Sequence, residues 1–211
     1  MRSSWHLAIE GPIGVGKTTL AQQLARSLEA ELLLEQPEHN PFLPRFYRDP
    51  EGAALPTQLC FLLQRAGQAE ALHQADLFRP RRVADFLFDK DRLFAELTLK
   101  PADFALYQGL YERLRRDLPA PDLVLYLHAP VEVLMTRIEQ RGRVYEQPIQ
   151  PAYLERLSRA YRQFFSSYRS APVIEIEAAQ LDLLHQPRDY RRVLAAITAG
   201  LPARLGGEPL V

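Results

Sequence analysis

The sequence predicts an α/β fold, a five-stranded parallel sheet flanked by helices on both faces. Three observations carry that expectation. Five short apolar runs, Trp5–Ile9, Ala30–Leu34, Arg82–Asp85, Leu123–His128 and Val173–Ile176, alternate with longer helix-like segments. That is the pattern of βαβ units whose strands are covered on both faces. Between the first run and the first helix, Gly11–Thr18 follows the phosphate-binding pattern G-x-x-x-x-G-K-[ST], a loop that joins a strand to a helix. Finally, 211 residues, 47% hydrophobic and 25% charged, suffice for one domain with a sizeable core.

Taken in order, the first strand leads into I-E-G-P-I-G-V-G-K-T-T at residues 9–19. Gly11, Gly14 and Gly16 let backbone N–H groups turn inward around a phosphate. Lys17 reaches the outer phosphates, the Thr18 hydroxyl can ligate Mg²⁺, and Thr19 carries the loop into its helix. That helix, expected over Thr18–Leu28, adds its positive N-terminal dipole at the same spot.

The second strand ends at Glu35. In a parallel sheet the C-terminal strand ends face the ligand crevice, which sets Glu35 beside the phosphate loop. A carboxylate there can accept a proton from an attacking hydroxyl; a solvated strand-end Glu is the plainer alternative. Tyr47 and Gln58 follow on neighbouring helical segments. The Gln side chain presents a donor beside an acceptor, which suits a nucleobase edge, although an interfacial Tyr and a surface Gln would read the same.

Pro119–Asp122 and Ala171–Pro172 lead into the fourth and fifth strands, and apolar residues recur at helical spacing over Val131–Arg141 and Tyr153–Tyr168. Arg137 and Arg141 share a helix face. Gly142 ends the helix and leaves Arg143 on a loop. Three arginines within seven residues suit a lid that closes over transferring phosphates and excludes water. A last helix is expected over Tyr190–Ala199, before a mobile Gly/Pro-containing end. Residues 1–180 thus read as the body of one domain, and 181–211 as its C-terminal helix and tail.

Composition narrows the classes. With 26 basic and 26 acidic residues the net charge is zero, which argues against a nucleic-acid partner held by phosphate neutralisation. No apolar run approaches membrane-spanning length, and the chain enters a strand at once, without a secretory signal. The single cysteine, Cys60, is expected to be a buried small hydrophobe. A cytoplasmic protein is the expectation.

The order and spacing of several segments resemble the deoxynucleoside kinase family, in its bacterial deoxyadenosine/deoxyguanosine kinase branch. The resemblance runs from Ile9 to about Ile176 through I-E-G-P-I-G-V-G-K-T-T, Glu35, N-P-F-L…F-Y-R-D-P, P-T-Q-L-C-F, D-K-D-R-L-F-A, P-D-L-V-L-Y-L, R-I-E-Q-R-G-R-V-Y-E and Y-L-E-R-L. It implies a P-loop kinase that moves the terminal phosphoryl group of ATP or another nucleoside triphosphate, with Mg²⁺, to the 5′-hydroxyl of a deoxynucleoside. Glu35 would be the base, Tyr47 and Glu146 would hold the 3′-hydroxyl, Gln58 would read the base and Phe94 would stack on it. Arg137, Arg141 and Arg143 would form the lid. Asp85, after the third strand, would stand near Mg²⁺ with Thr18. The family carries an Arg next to that acid, whereas this chain has Phe86; Lys90 and Arg92 are the nearby cations. A homodimer is also implied, with Phe104, Leu106, Leu110 and Leu114 suited to core or interface.

Two other readings share the loop. A thymidylate-type monophosphate kinase would carry basic residues for a phosphorylated acceptor, and Asp85-Phe86-Leu87 lacks that family's Asp-Arg-Tyr. A nucleotide-dependent switch would carry a guanine-recognition motif, which the sequence lacks.

Overall fold

The computed structural model of the chain describes residues 4–74, 81–115, 118–183 and 186–200. Its centre is a parallel sheet of β1 (Trp5–Glu10), β2 (Glu31–Leu33), β3 (Arg81–Ala84), β4 (Leu123–His128) and β5 (Val173–Glu177), in the order β2-β3-β1-β4-β5. The chain passes from β1 to the edge strand β2, returns to place β3 between them, then crosses to β4 and β5 on the other side of β1. The C-terminal end of β1 is therefore the point where strand order reverses, and ligands bind α/β sheets at such points.

All five expected strands form. The central ones are buried almost throughout, as their continuous apolar runs require. Strand β2 is shorter than Ala30–Leu34 because it lies at an edge and pairs only with β3, through three residues. Glu35 consequently stands two residues beyond the strand rather than directly after it.

Among the described residues, eight α-helices surround the sheet: α1 (Lys17–Ser27), α2 (Leu43–Phe46), α3 (Pro50–Gln74), α4 (Lys90–Thr98), α5 (Pro101–Arg115), α6 (Val131–Arg141), α7 (Pro151–Ser167) and α8 (Pro187–Gly200). Each long helix turns an apolar stripe inward. Helix α1 buries Leu20, Ala21, Leu24 and Ala25, and α7 buries Leu154, Leu157 and Tyr161, the i, i+3, i+4, i+7 spacing of one helix face. A fully buried leucine such as Leu20 or Leu154 contributes about 2 kcal/mol. Helix α8 adds Val193 and Ile197 to the same core; the end of the tail lies outside the described residues.

A second, smaller cluster joins Leu62 of α3, Ala95 of α4, and Tyr107 and Tyr111 of α5. It holds three helices together over the crevice at the β1 and β3 ends. Phe104 and Leu114 pack against this cluster, whereas Leu106 and Leu110 are exposed. Cys60 is half-buried rather than buried. No described helix is long and apolar enough to cross a membrane.

Candidate active site

The phosphate loop turns between β1 and α1 under tight steric control. Gly11 has a φ of 151°, and a Cβ there would overlap the carbonyl oxygen of Leu127 at the end of β4, so only glycine lets the loop lie against that strand. Lys17, in the first turn of α1, donates to the carbonyls of Gly11 and Pro12 at 2.7 and 3.2 Å, which holds its stem along the loop. Burial and the neighbouring Lys90 push its ammonium down to about 8, against the pull of Glu10 and Asp85. The Thr18 hydroxyl donates to Asp85 at 2.5 Å.

Asp85 links three elements. One of its oxygens takes the Thr18 hydroxyl and the other the backbone N–H of Glu35, at 2.6 Å. It is 2% exposed, and burial raises its carboxyl above the usual range, with Thr18 and Lys17 opposing. Thr18 and Asp85 offer hard oxygen ligands at a phosphate loop, which suits Mg²⁺, an ion bound through one or two protein oxygens and substrate phosphates rather than a protein cage.

Glu35 projects into the same crevice with a cation on each oxygen. Arg65 of α3 forms an ion pair with Oε1, and Lys90 of α4 lies 3.1 Å from Oε2. Arg65 also pairs with Asp91. Sequence reasoning passes over Arg65, which sits in an otherwise ordinary stretch of α3. One signal points to it: it follows Gln58 by seven residues, and positions seven apart share a helix face. Of the two nearby cations after Asp85, Lys90 turns inward, and Arg92 is exposed and pairs with Glu96 at 2.8 Å.

A cavity of about 450 Å³ brings most of the expected residues together: Lys17, Thr18, Glu35, Tyr47, Gln58, Asp85, Phe94, Arg141, Arg143 and Glu146. That volume lies in the range of small-molecule sites. Gln58 is 3% exposed and donates to Thr98 at 3.3 Å. Phe94 meets Tyr161 edge-on, with ring centroids 6.1 Å apart. Tyr47 meets Tyr153 the same way, and burial, with Tyr153 and Glu146 adding, holds its hydroxyl protonated well above the usual range.

The three arginines part ways. Arg141 forks onto the buried Glu146 with contacts of 2.8 and 2.7 Å, and Arg143 donates to the Tyr145 hydroxyl at 2.8 Å. Arg137 is not in this cavity. It donates to the carbonyls of Val15, Ala178 and Leu181 at 3.2, 2.8 and 3.0 Å, so it ties the phosphate loop to the loop after β5. Its backbone position one turn before Arg141 points it at that loop, which sequence spacing does not reveal. It lines a second cavity, of about 630 Å³, with Gly14, Gly16, Thr19, Arg141 and residues 178–183. The phosphate loop thus separates two cavities and borders both.

Comparison with known proteins bears on the family and the fold. The sequence model of the family described as Deoxynucleoside kinase matches residues 7–201. A deoxyguanosine kinase of Bacillus subtilis is 33% identical over 202 residues, covering 93% of this chain and 98% of that protein. A deoxyadenosine/deoxycytidine kinase of the same organism is 28% identical, covering 92% of this chain and 91% of its own. A deoxyadenosine kinase from M. mycoides, solved with the products dCMP and dCDP, superposes with a TM-score of 0.79 at 24% identity over 92% of this chain and 99% of that one.

Proposed function

Because this chain belongs to the deoxynucleoside kinase family, we propose that it transfers the terminal phosphoryl group of ATP, or another nucleoside triphosphate, to the 5′-hydroxyl of a deoxynucleoside. One observation carries the reading: Glu35 lines a single cavity together with Lys17 of the phosphate loop and the buried Gln58. The two cavities divide the substrates. A triphosphate held on the loop has its terminal phosphate at Lys17, so its nucleoside extends into the cavity beside Arg137. The acceptor occupies the cavity that holds Glu35.

In that arrangement the loop N–H groups and Lys17 bind the donor phosphates, and Glu35 takes the proton of the 5′-hydroxyl as that oxygen attacks in line. Thr18 and Asp85 would hold Mg²⁺, which neutralises phosphate charge when bound. Arg141 and Arg143 reach the same space and stabilise charge that develops on the transferred group. Arg137 acts one step away, by fixing the loop beside the donor. Tyr47 and Glu146 bind the 3′-hydroxyl, Phe94 covers a base face, and Gln58 reads the base edge. Purine acceptors are favoured, as the deoxyguanosine kinase relative suggests. The exposed Leu63 of α3 and Leu106 and Leu110 of α5 form the face of a homodimer. The enzyme works in the cytoplasm, where nucleotides and Mg²⁺ are available.

The test is phosphate transfer from ATP with Mg²⁺ to the four deoxynucleosides and their monophosphates. Formation of a 5′-monophosphate is expected, with Glu35→Gln lowering kcat by about 1,000-fold while the fold persists. Transfer to monophosphates alone would make the enzyme a thymidylate-type kinase. Full turnover by Glu35→Gln would remove Glu35 as the base.

A further inference from the structure

The carboxylate of Glu35 has no backbone donor among its described contacts; what orients it is a pair of cations. Arg65, on Oε1, is shared with Asp91. Lys90, on Oε2, is shared with a different partner: its ammonium lies 3.1 Å from Glu35 and 3.5 Å from Oε2 of Glu10. Glu10 is the last residue of β1 and is completely buried. It is fixed from three sides. Its Oε1 accepts the N–H of Gly11 at 2.8 Å and the Tyr161 hydroxyl at 2.9 Å, and its Oε2 accepts the N–H of Leu87 at 2.9 Å. Gly11 is the first residue of the phosphate loop.

The geometry points to Lys90 as a positioning residue that ties the Glu35 carboxylate to the entrance of the phosphate loop through Glu10. The inference rests on the reading of Glu35 as the base. Its physical basis is the number of constraints. Each carboxylate oxygen has two lone pairs. With one cation on each oxygen, the plane of the Glu35 carboxylate is set and lone pairs stay available for the acceptor hydroxyl. Removing Lys90 leaves Oε2 unheld, and the side chain regains rotamers that turn it away from the donor phosphate. A misplacement of about 1 Å in a reacting group costs on the order of 100-fold in rate.

Lys90 suits this work because an ammonium can bridge two carboxylates from different segments as a compact charge. It is 2% exposed. The other charged groups around it are Arg65 of α3, Lys17 of α1 and Asp85 beyond β3. Burial pushes its ammonium down to about 8, with Arg65 pulling the same way and Glu10 and Asp85 opposing. The exposed Arg92, two residues on, touches none of this network.

The experiment is a double-mutant cycle on kcat with the full chain. Lys90→Met is expected to lower kcat by about 100-fold with the nucleoside KM changed less than threefold. In the Glu35→Gln background the same substitution should cost less than about twofold, because a residue that acts through Glu35 has nothing left to position. Arg92→Ala should keep kcat within about twofold in either background. Lys90→Met also strands the buried Glu10 charge. Thermal melts of every variant therefore confirm folding. Equal losses with and without Glu35, or an unchanged kcat, would overturn the role of Lys90. If Glu35→Gln alone keeps full turnover, the reading of Glu35 falls first and the inference with it.

Discussion

At the residue scale, burial acts on the cations of the cleft and on one histidine far from it. Lys17 and Lys90 are pushed down because a charged ammonium loses its hydration, and the nearby carboxylates only partly restore the loss. His6, on β1, meets the same cost; the adjacent Asp122 carboxylate accepts its backbone N–H at 2.8 Å and not its ring. Among the described residues, both of its ring nitrogens are buried without a hydrogen-bond partner. Burial first, then Arg82, lowers its value from 6.5 to about 4. Between those two values the unfolded chain holds a proton that the folded chain does not. Stability is therefore complete above about pH 6.5 and is lost as the pH falls towards 4, by up to about 3 kcal/mol. Urea unfolding at pH 7, 5.5 and 4.5 should show this slope. His6→Gln should flatten it, and an equal slope in that variant would place the loss on other groups.

At the element scale, α6 shows how one glycine sets the position of the arginines. The helix ends at Arg141, and Gly142 follows in the left-handed conformation with φ 66°, its N–H returning to the Ile138 carbonyl at 3.2 Å. The turn redirects the chain so that the short helical turn Val144–Glu146 brings Glu146 back under Arg141. A Cβ on Gly142 would meet nothing closer than 4.0 Å, so substitution costs conformation and not space. Gly142→Ala should lower stability by about 1 kcal/mol, and Gly142→Asn by less, since asparagine tolerates this region. Thermal melts of the three proteins check the order; equal melting temperatures would mean that the turn relaxes freely.

At the scale of the whole molecule, α3 and α5 serve two surfaces at once. Their inner faces build the Leu62, Tyr107 and Tyr111 cluster and carry Gln58 and Arg65 to the cleft. Their outer faces leave Leu63 and Leu106 61% and 57% exposed. Exposed apolar side chains on the outer faces of two helices suit contact with a second copy. Light scattering of the purified chain should give twice the monomer mass. Leu106→Glu combined with Leu110→Glu should shift it to the monomer. A monomer before any substitution would refute the proposed interface.

Much of this was legible in the sequence, and the division has a physical basis. The strands, α1, α6 and the phosphate loop are local: apolar periodicity, glycine conformation and backbone sterics act within a few residues, so the order of residues suffices. Leu123–His128 and Val131–Arg141 fall where the sequence puts them. The proposed acceptor residues Tyr47, Gln58 and Glu146 became legible through spacing shared with a family, not through local physics. Only the tertiary structure chose among equivalent cations. Lys90 and Arg92 stand two residues apart on one helix, and burial against Glu10 separates them. Arg65 reads as an ordinary helix residue until α3 crosses the end of β2. Arg137 shares a helix face with Arg141 yet holds a different loop. The sequence by itself determined the fold, the phosphate site and the set of candidate groups. Which charges meet was decided by packing, because an ion pair depends on distances of a few ångströms between segments far apart in the chain.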